Sequence, residues 1–241
     1  MKSLIKLEPE HYLDLIKGNK PFAFSRFGDG EILCMFHCPT ITENCDGSAF
    51  LDELIEPMKQ IFRNKYNYYH CLLDCSADPV LKKEVDEFHA FIEEVCPDMD
   101  FYYGEVWQRL SFDDRIGELV RAISPYKPVF VGGEHIANVS YMHGMEYNNV
   151  IEIPSVDAFL SFNDIFTAIM QLHEQGRRMF CFSAGYSTKP LIDTLWPHIG
   201  HNTFLIDMGS VFDPYCGKLS RDNMKWNGYK KFQPFTDYKL K

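Results

Sequence analysis

Apolar and polar positions along this chain follow two rhythms. Short apolar runs of strand length recur at "PFAFSRF" (21–27), "YYHCLLD" (68–74), "DFYYGEVW" (100–107), "KPVFVGG" (127–133), "NNVIEIP" (148–154), "RRMFCFSAG" (177–185) and "NTFLIDMGS" (202–210). Between them lie stretches whose apolar residues repeat at helical spacing. "EILCMF" opens a helix after the acidic turn that ends the first run. A second helix follows Asp78-Pro79, with Asp78 as N-cap, Pro79 at the first helical position and Leu81, Val85, Phe88, Ile92 and Val95 on one face, until Pro97 stops it. "DDRIGELVRAI" reads as a third helix. Ser155 is expected to cap a long one carrying Val156, Phe159, Phe166, Ile169 and Met170 and ending near Gly176. "STKPLIDTLW" precedes the last strand. Strands alternating with crossover helices predict an α/β domain whose sheet is doubly wound and mostly parallel, with helices flanking it.

With 241 residues and 46% hydrophobic content the chain can bury a sizeable core. Residues 1–217 are expected to form a single domain, and 218–241 a basic tail. The tail carries seven Lys/Arg against Asp222 and Asp237, a formal charge of about +5. The net charge of −10 disfavours generic nucleic-acid binding. The tail is either a solvated segment or a patch for something anionic. No apolar run is long enough to span a membrane. The N-terminal "MKSLIKLEPEHY" lacks the apolar stretch of a signal peptide, so a soluble, cytoplasmic chain is expected. None of the eight cysteines forms a CxxC pair, which favours buried free thiols over disulfides or a zinc set drawn from Cys34, His37, Cys38 and Cys45.

In a doubly wound sheet, ligands bind beyond the carboxyl ends of the strands. Four strand ends therefore carry the candidate chemistry. After the first strand, Arg26, Gly28, Asp29, Gly30 and Glu31 place two acids between glycines. Such a pair suits a hard divalent cation, Mn²⁺ or Mg²⁺, that also holds phosphates, and it equally suits a helix N-terminus whose dipole favours acids. Arg26 could meet a phosphate or pin a carboxylate. "VGGEH" contributes Gly133, Glu134 and His135, the last a candidate base. "SAGYSTKP" sets Ser183, Gly185, Ser187 and Thr188 at a strand-to-helix junction that is either a phosphate cradle or an ordinary tight turn. "DMGSVFDPY" supplies Asp207, Gly209, Ser210 and Asp213. Asp213, in the loop, is the favoured acceptor of a proton from a substrate hydroxyl. None of these segments matches a P-loop, a G-x-S-x-G elbow or a dinucleotide fingerprint.

Taken in order, the four strand ends resemble the GT-D glycosyltransferases. "SRFGDGE" is similar to that family's "RYGDGE"-like D-x-E segment, and "VFVGGEH" falls at its second acidic turn. "MFCFSAGYSTKPLIDTL" resembles its "LGPTA"-like strand, turn and helix, and "FLIDMGSVFDPY" its closing "AIDIGHxDxEY"-like element. The resemblance runs from about Phe22 to Tyr215. It implies a Rossmann-like, metal-dependent hexosyl- or pentosyltransferase using a nucleotide-sugar donor, usually a UDP-sugar. Asp29 and Glu31 match its acidic pair, Gly28 and Gly30 the flanking glycines, Glu134 the second acid, and Asp207 and Gly209 the last motif. Where the family places a His after that glycine this chain has Ser210, so no role for that His carries over. "WQRLSF" loosely echoes another family segment and makes Arg109 a phosphate or sugar contact. The acceptor best matching the resemblance is a glycan or glycoprotein. A hydroxymethylated DNA base is suggested only by the tail, and a metal-dependent nucleotide hydrolase or a non-catalytic sugar-nucleotide-binding protein would use the same acids differently.

Overall fold

The computed structural model describes residues 3–36, 51–73, 75, 79–141, 145 and 149–220. The elements run α1 (Pro9–Lys17), β1 (Ala23–Phe27), α2 (Asp29–Phe36), α3 (Asp52–Asn64), β2 (Tyr69–Leu72), α4 (Lys82–Val95), β3 (Tyr102–Tyr103), α5 (Val106–Phe112), α6 (Ile116–Ile123), β4 (Val129–Gly132), β5 (Asn149–Glu152), α7 (Phe162–Glu174), β6 (Met179–Ser183), α8 (Thr188–Ile199) and β7 (Phe204–Asp207). Seven parallel strands form one sheet in the order β3-β2-β1-β7-β6-β4-β5. The chain winds outward from β1 through β2 to β3. It then crosses to the other half, and the last two strands fill the centre.

Strands of such a sheet are buried on both faces, which is why their text is continuously apolar. Successive side chains alternate between two cores. Ala23, Phe27, Val129, Val131, Phe180, Phe182 and Leu205 pack on one face beneath α2, α3, α4, α7 and α8. Phe24, Phe130, Cys181, Phe204 and Ile206 pack on the other beneath α1, α5 and α6. Trp107 is fully buried there, against Tyr12 and Phe24. Cys34, Cys71, Cys96, Cys181 and Cys216 are buried free thiols, as expected. Of the hypothetical zinc set, His37, Cys38 and Cys45 lie outside the described residues. No helix among the described residues is long and apolar enough to cross a membrane.

Several boundaries differ from the sequence reading. "DFYYGEVW" is strand only at Tyr102–Tyr103. Gly104 ends it, where a side chain would sit 3.0 Å from Cγ of Arg26, and α5 begins two residues later. Ser155 does not cap α7. Asp157 adopts a left-handed backbone (φ 53°), which no helix accommodates, and a short 3-10 turn over Ala158–Ser161 intervenes before the helix proper. Pro79 precedes α4 rather than opening it, since the helix starts at Lys82. Its supposed cap, Asp78, lies outside the described residues. Helices α1 and α3 were not anticipated, although α1 carries a Pro at its first position and Gly18 at its end.

Helix α8 leans on α3 and β2 through a buried polar cluster. The Asp193 carboxylate accepts hydrogen bonds from Asn64 Nδ2 at 2.6 Å and Tyr68 Oη at 3.1 Å. His70 stacks on Tyr68, ring centroids 4.0 Å apart. Burial raises the Asp193 carboxyl to about 6, against the pull of those two donors. Burial likewise lowers His70 to about 4. The two act in opposite senses on stability. Asp193 favours the folded state fully below its unfolded value near 3.8 and loses that contribution as the pH rises through 6. His70 contributes above its unfolded value near 6.5 and loses it as the pH falls toward 4. Keeping Asp193 ionised at neutral pH therefore costs about 3 kcal/mol. Asp193→Asn is expected to gain stability relative to wild type between pH 4 and 6.5, by about 2–3 kcal/mol at the plateau. Urea denaturation across that range checks it, and parallel pH curves for the two proteins would contradict the assignment.

Candidate functional site

The C-terminal ends of all seven strands open onto one cleft of about 480 Å³, a volume suited to a nucleotide-sized ligand. Leu73 and Glu105 reach it from β2 and β3, and Pro154 and Ser155 from β5. The four strand ends singled out by sequence all contribute. Arg26, Gly28, Asp29, Gly30 and Glu31 follow β1, and Gly133 and His135 follow β4. Ser183, Gly185 and Ser187 follow β6, and Asp207, Gly209, Ser210 and Asp213 follow β7. Three expected residues are elsewhere. Thr188 is buried outside the cleft lining, its Oγ1 accepting from Ala184 N–H at 3.3 Å. Glu134 is exposed and outside the cleft lining. Arg109 points away and pairs with Glu8 at 3.1 Å.

The acidic pair belongs to the first turn of α2. The Gly28 carbonyl accepts the first helical bond, from Ile32 N–H at 3.1 Å. Glu31, at the third helical position, reaches back and accepts from Gly28 N–H through Oε2 at 2.8 Å. That is the carboxylate half of a capping box, so Glu31 has a role in starting α2 whatever else it does. Asp29 is exposed at the first position. The other Glu31 oxygen, Oε1, lies 2.6 Å from Lys189 Nζ.

Lys189, in the first turn of α8, is the principal residue the sequence reading missed. Its side chain is 4% exposed. The ammonium lies 3.2 Å from Asp207 Oδ2 and donates to the Gly185 carbonyl at 3.2 Å, so its three protons are all engaged. Asp207 in turn accepts from Arg26 N–H through Oδ2 at 3.2 Å and from Gly209 N–H through Oδ1 at 2.9 Å. Burial pushes the Glu31 carboxyl up, but the charge and hydrogen bond of Lys189, the Gly28 amide and Arg26 together hold it below the usual carboxylate range. A signal existed. A cation in the first turn of a helix opposes the dipole and calls for a carboxylate to hold it there.

Gly209 sits at φ 53°, and a side chain there would come within 2.5 Å of Arg26 Nη2. Gly104 and Gly209 therefore flank the passage that carries the Arg26 side chain to the cleft. Gln108 approaches the same point. Neither its amide nitrogen nor its oxygen finds a partner among the described residues, although both atoms are buried, and the same holds for Ser183 Oγ. Residues 108 and 109 lie on opposite flanks of the buried stripe of α5, and sequence does not say which flank meets the cleft. The resemblance pointed to Arg109, whereas the cleft is lined by its neighbour.

Across the cleft floor, His135 Nε2 lies 3.0 Å from Asp213 Oδ1. The Asp213 side chain is 8% exposed, and its second oxygen accepts from Ser220 Oγ. Asp213 is thus tied on both oxygens, and His135 is the more exposed partner. The basic tail beyond Ser220 lies outside the described residues.

Of the expected metal pair, Asp29 is exposed, while Glu31 offers no uncommitted oxygen to a divalent cation as the side chains stand. Both Glu31 oxygens and both Asp207 oxygens are committed to Lys189 and backbone amides. Among the described residues no group of three or more His, Cys, Asp or Glu converges in metal-binding geometry.

No family model matches the chain, and no curated protein matches it. Three solved structures share its fold. A selenomethionine-substituted structure of domain of unknown function 1792 is 18% identical, with a TM-score of 0.64 over 95% of this chain and 82% of that one. A second structure of that domain, described as having a distinct glycosyltransferase fold, is 17% identical, with a TM-score of 0.64 over the same shares. A glycosyltransferase of this domain type from Streptococcus sanguinis is 17% identical, with a TM-score of 0.62 over 99% and 96%. At such identity the likeness establishes the shared α/β fold.

The unpartnered Gln108 amide generates a prediction that needs no ligand. Gln108→Met should raise the unfolding midpoint of the free protein by about 2–4 °C, because a buried unsatisfied amide costs about 1 kcal/mol or more. A lowered midpoint in differential scanning fluorimetry would show instead that the amide holds the structure together.

Proposed function

We propose that this protein is a glycosyltransferase that moves a sugar from a nucleotide-sugar donor, a UDP-sugar, to a hydroxyl of a glycan or glycoprotein. The observation that carries the reading is the pairing of His135 with a buried Asp213 in the same cleft as Arg26 and the start of α8. Such a cleft offers an anion site and a base together, which a transferase needs and a simple binding module does not. The fold shared with structures described as glycosyltransferases supports the same class.

In this reading Arg26 and the backbone of the 3-10 turn Gly185–Ser187, which leads into α8, meet the donor diphosphate. Gln108 and Ser183, whose buried polar atoms have no partner among the described residues, serve sugar or base hydroxyls and amides. Asp213 accepts the Nε2 proton of His135, which fixes the tautomer and leaves Nδ1 as the lone-pair nitrogen. The proton-accepting role then passes from Asp213, already doubly bonded, to His135. The acceptor oxygen bonds to the anomeric carbon as its proton moves to Nδ1. The bond from that carbon to the β-phosphate oxygen breaks, and the nucleoside diphosphate leaves with the electron pair. Arg26 and the turn amides stabilise the charge that develops on it.

The test is release of UDP from a panel of UDP-sugars with and without glycan acceptors. The transferase reading expects slow release alone and faster release with one acceptor. His135→Gln should lower the acceptor-dependent kcat by about 10²–10⁴-fold, the usual worth of a general base, with donor KM changed only a few-fold. Rapid release without any acceptor would indicate a hydrolase, and unchanged turnover in the variant would remove His135 from the chemistry.

A further inference from the structure

We propose that the Lys189 ammonium takes the place of a divalent cation in this cleft, so that the protein binds its anionic donor without metal, and that removing Lys189 uncovers a cation site. The part concerning the donor rests on the transferase reading. The part concerning the cation rests on the cleft alone.

A divalent ion in an acidic nucleotide site does two things. It cancels the charge of the carboxylates, which would otherwise repel phosphates, and it offers positive charge to the ligand. Lys189 performs the first task from within the chain. Its Nζ bridges Glu31 Oε1 at 2.6 Å and Asp207 Oδ2 at 3.2 Å, and its side chain is 4% exposed, so it is no mobile surface lysine resting on an acid. The third donor is used on Gly185 C=O, which ties the ammonium to the loop before α8. Arg26 performs the second task. Its backbone N–H is held by Asp207, and its guanidinium emerges beside Gly209 on the cleft floor, with no carboxylate partner among the described residues. The charges of Lys189 and Arg26 formally balance those of Glu31 and Asp207, with exposed Asp29 as a further acid beside them. For a metal to bind Glu31, the lysine would have to leave, and a buried ammonium would then be stranded near the incoming dication.

Taking Lys189 away reverses the balance. Glu31 Oε1 and Asp207 Oδ2 then face each other across the space the ammonium held, with exposed Asp29 two residues from Glu31. Two or three carboxylates around a vacated cationic position suit Mn²⁺ or Mg²⁺.

The experiment is thermal unfolding of wild type, Lys189→Met and the double variant Lys189→Met/Glu31→Gln, each in EDTA, with Mn²⁺ alone, and with UDP-sugars in EDTA or in Mn²⁺. Wild type is expected to ignore Mn²⁺ alone. Its midpoint should rise equally with the bound UDP-sugar whether EDTA or Mn²⁺ is present. Lys189→Met should unfold earlier in EDTA and recover by several degrees, on the order of 5 °C, with millimolar Mn²⁺. The double variant should show no recovery. A Mn²⁺ shift in wild type, or a UDP-sugar shift that requires Mn²⁺, would overturn the proposal. If Lys189→Met does not fold, those two wild-type measurements decide it unaided. If no UDP-sugar shifts wild type under any condition, the transferase reading and the donor half of the proposal both fail, while the Mn²⁺ response of wild type still decides the cation half.

Discussion

The cleft depends on one electrostatic arrangement, the buried ammonium of Lys189 held between Glu31 and Asp207. Without it, two carboxylates from different strand ends would face each other at the centre of a parallel sheet, where burial already penalises the ionised form of Glu31. Breaking a buried pair by removing one partner typically costs about 3–5 kcal/mol, a large share of a domain's net stability. The same bridge ties the loop after β1, the end of β7 and the start of α8 to one another. Those three segments also carry Gly28, Arg26, Gly185 and Gly209, so the charge that stabilises the cleft also sets its shape.

The sheet order explains why these groups meet. Strands β1, β7 and β6 are adjacent at the centre, so their C-terminal ends bring residues about 180 positions apart in sequence into contact, as the bond from Arg26 N–H to Asp207 shows. Helix α8 is the element that must be placed most accurately, because it presents Lys189 to the cleft. Four residues on, Asp193 fastens it to α3 through Asn64 and to the segment entering β2 through Tyr68. The helix is thus pinned by one carboxylate that it offers and by two that it receives, and an ionised Asp193 is a cost the fold carries for that placement.

Much of this was legible in the sequence. Continuous apolar runs gave the strands of a parallel sheet, and the rule that ligands sit beyond strand ends selected four segments that all line the cleft. The misses have physical causes. Spacing paired Glu31 with Asp29 because it shows which residues are near in sequence, and it could not show the ammonium that reaches Glu31 from position 189. Lys189 itself was passed over because lysines are rarely buried. Arg109 was named on a loose resemblance alone, and helical phase does not say which flank of the α5 stripe meets the cleft, where Gln108 lies instead. Ser155 looked like a cap, yet the left-handed Asp157 two residues later postpones the helix.

One measurement bears most directly on the central claim: a crystal structure grown with UDP and Mn²⁺, with anomalous diffraction recorded at the manganese edge. The account predicts the diphosphate beside Arg26 and the start of α8, no anomalous peak at Glu31 or Asp207, and Lys189 still bridging the two carboxylates. A manganese peak between Glu31 and the phosphates with Lys189 turned aside, or UDP bound away from this cleft, would contradict it.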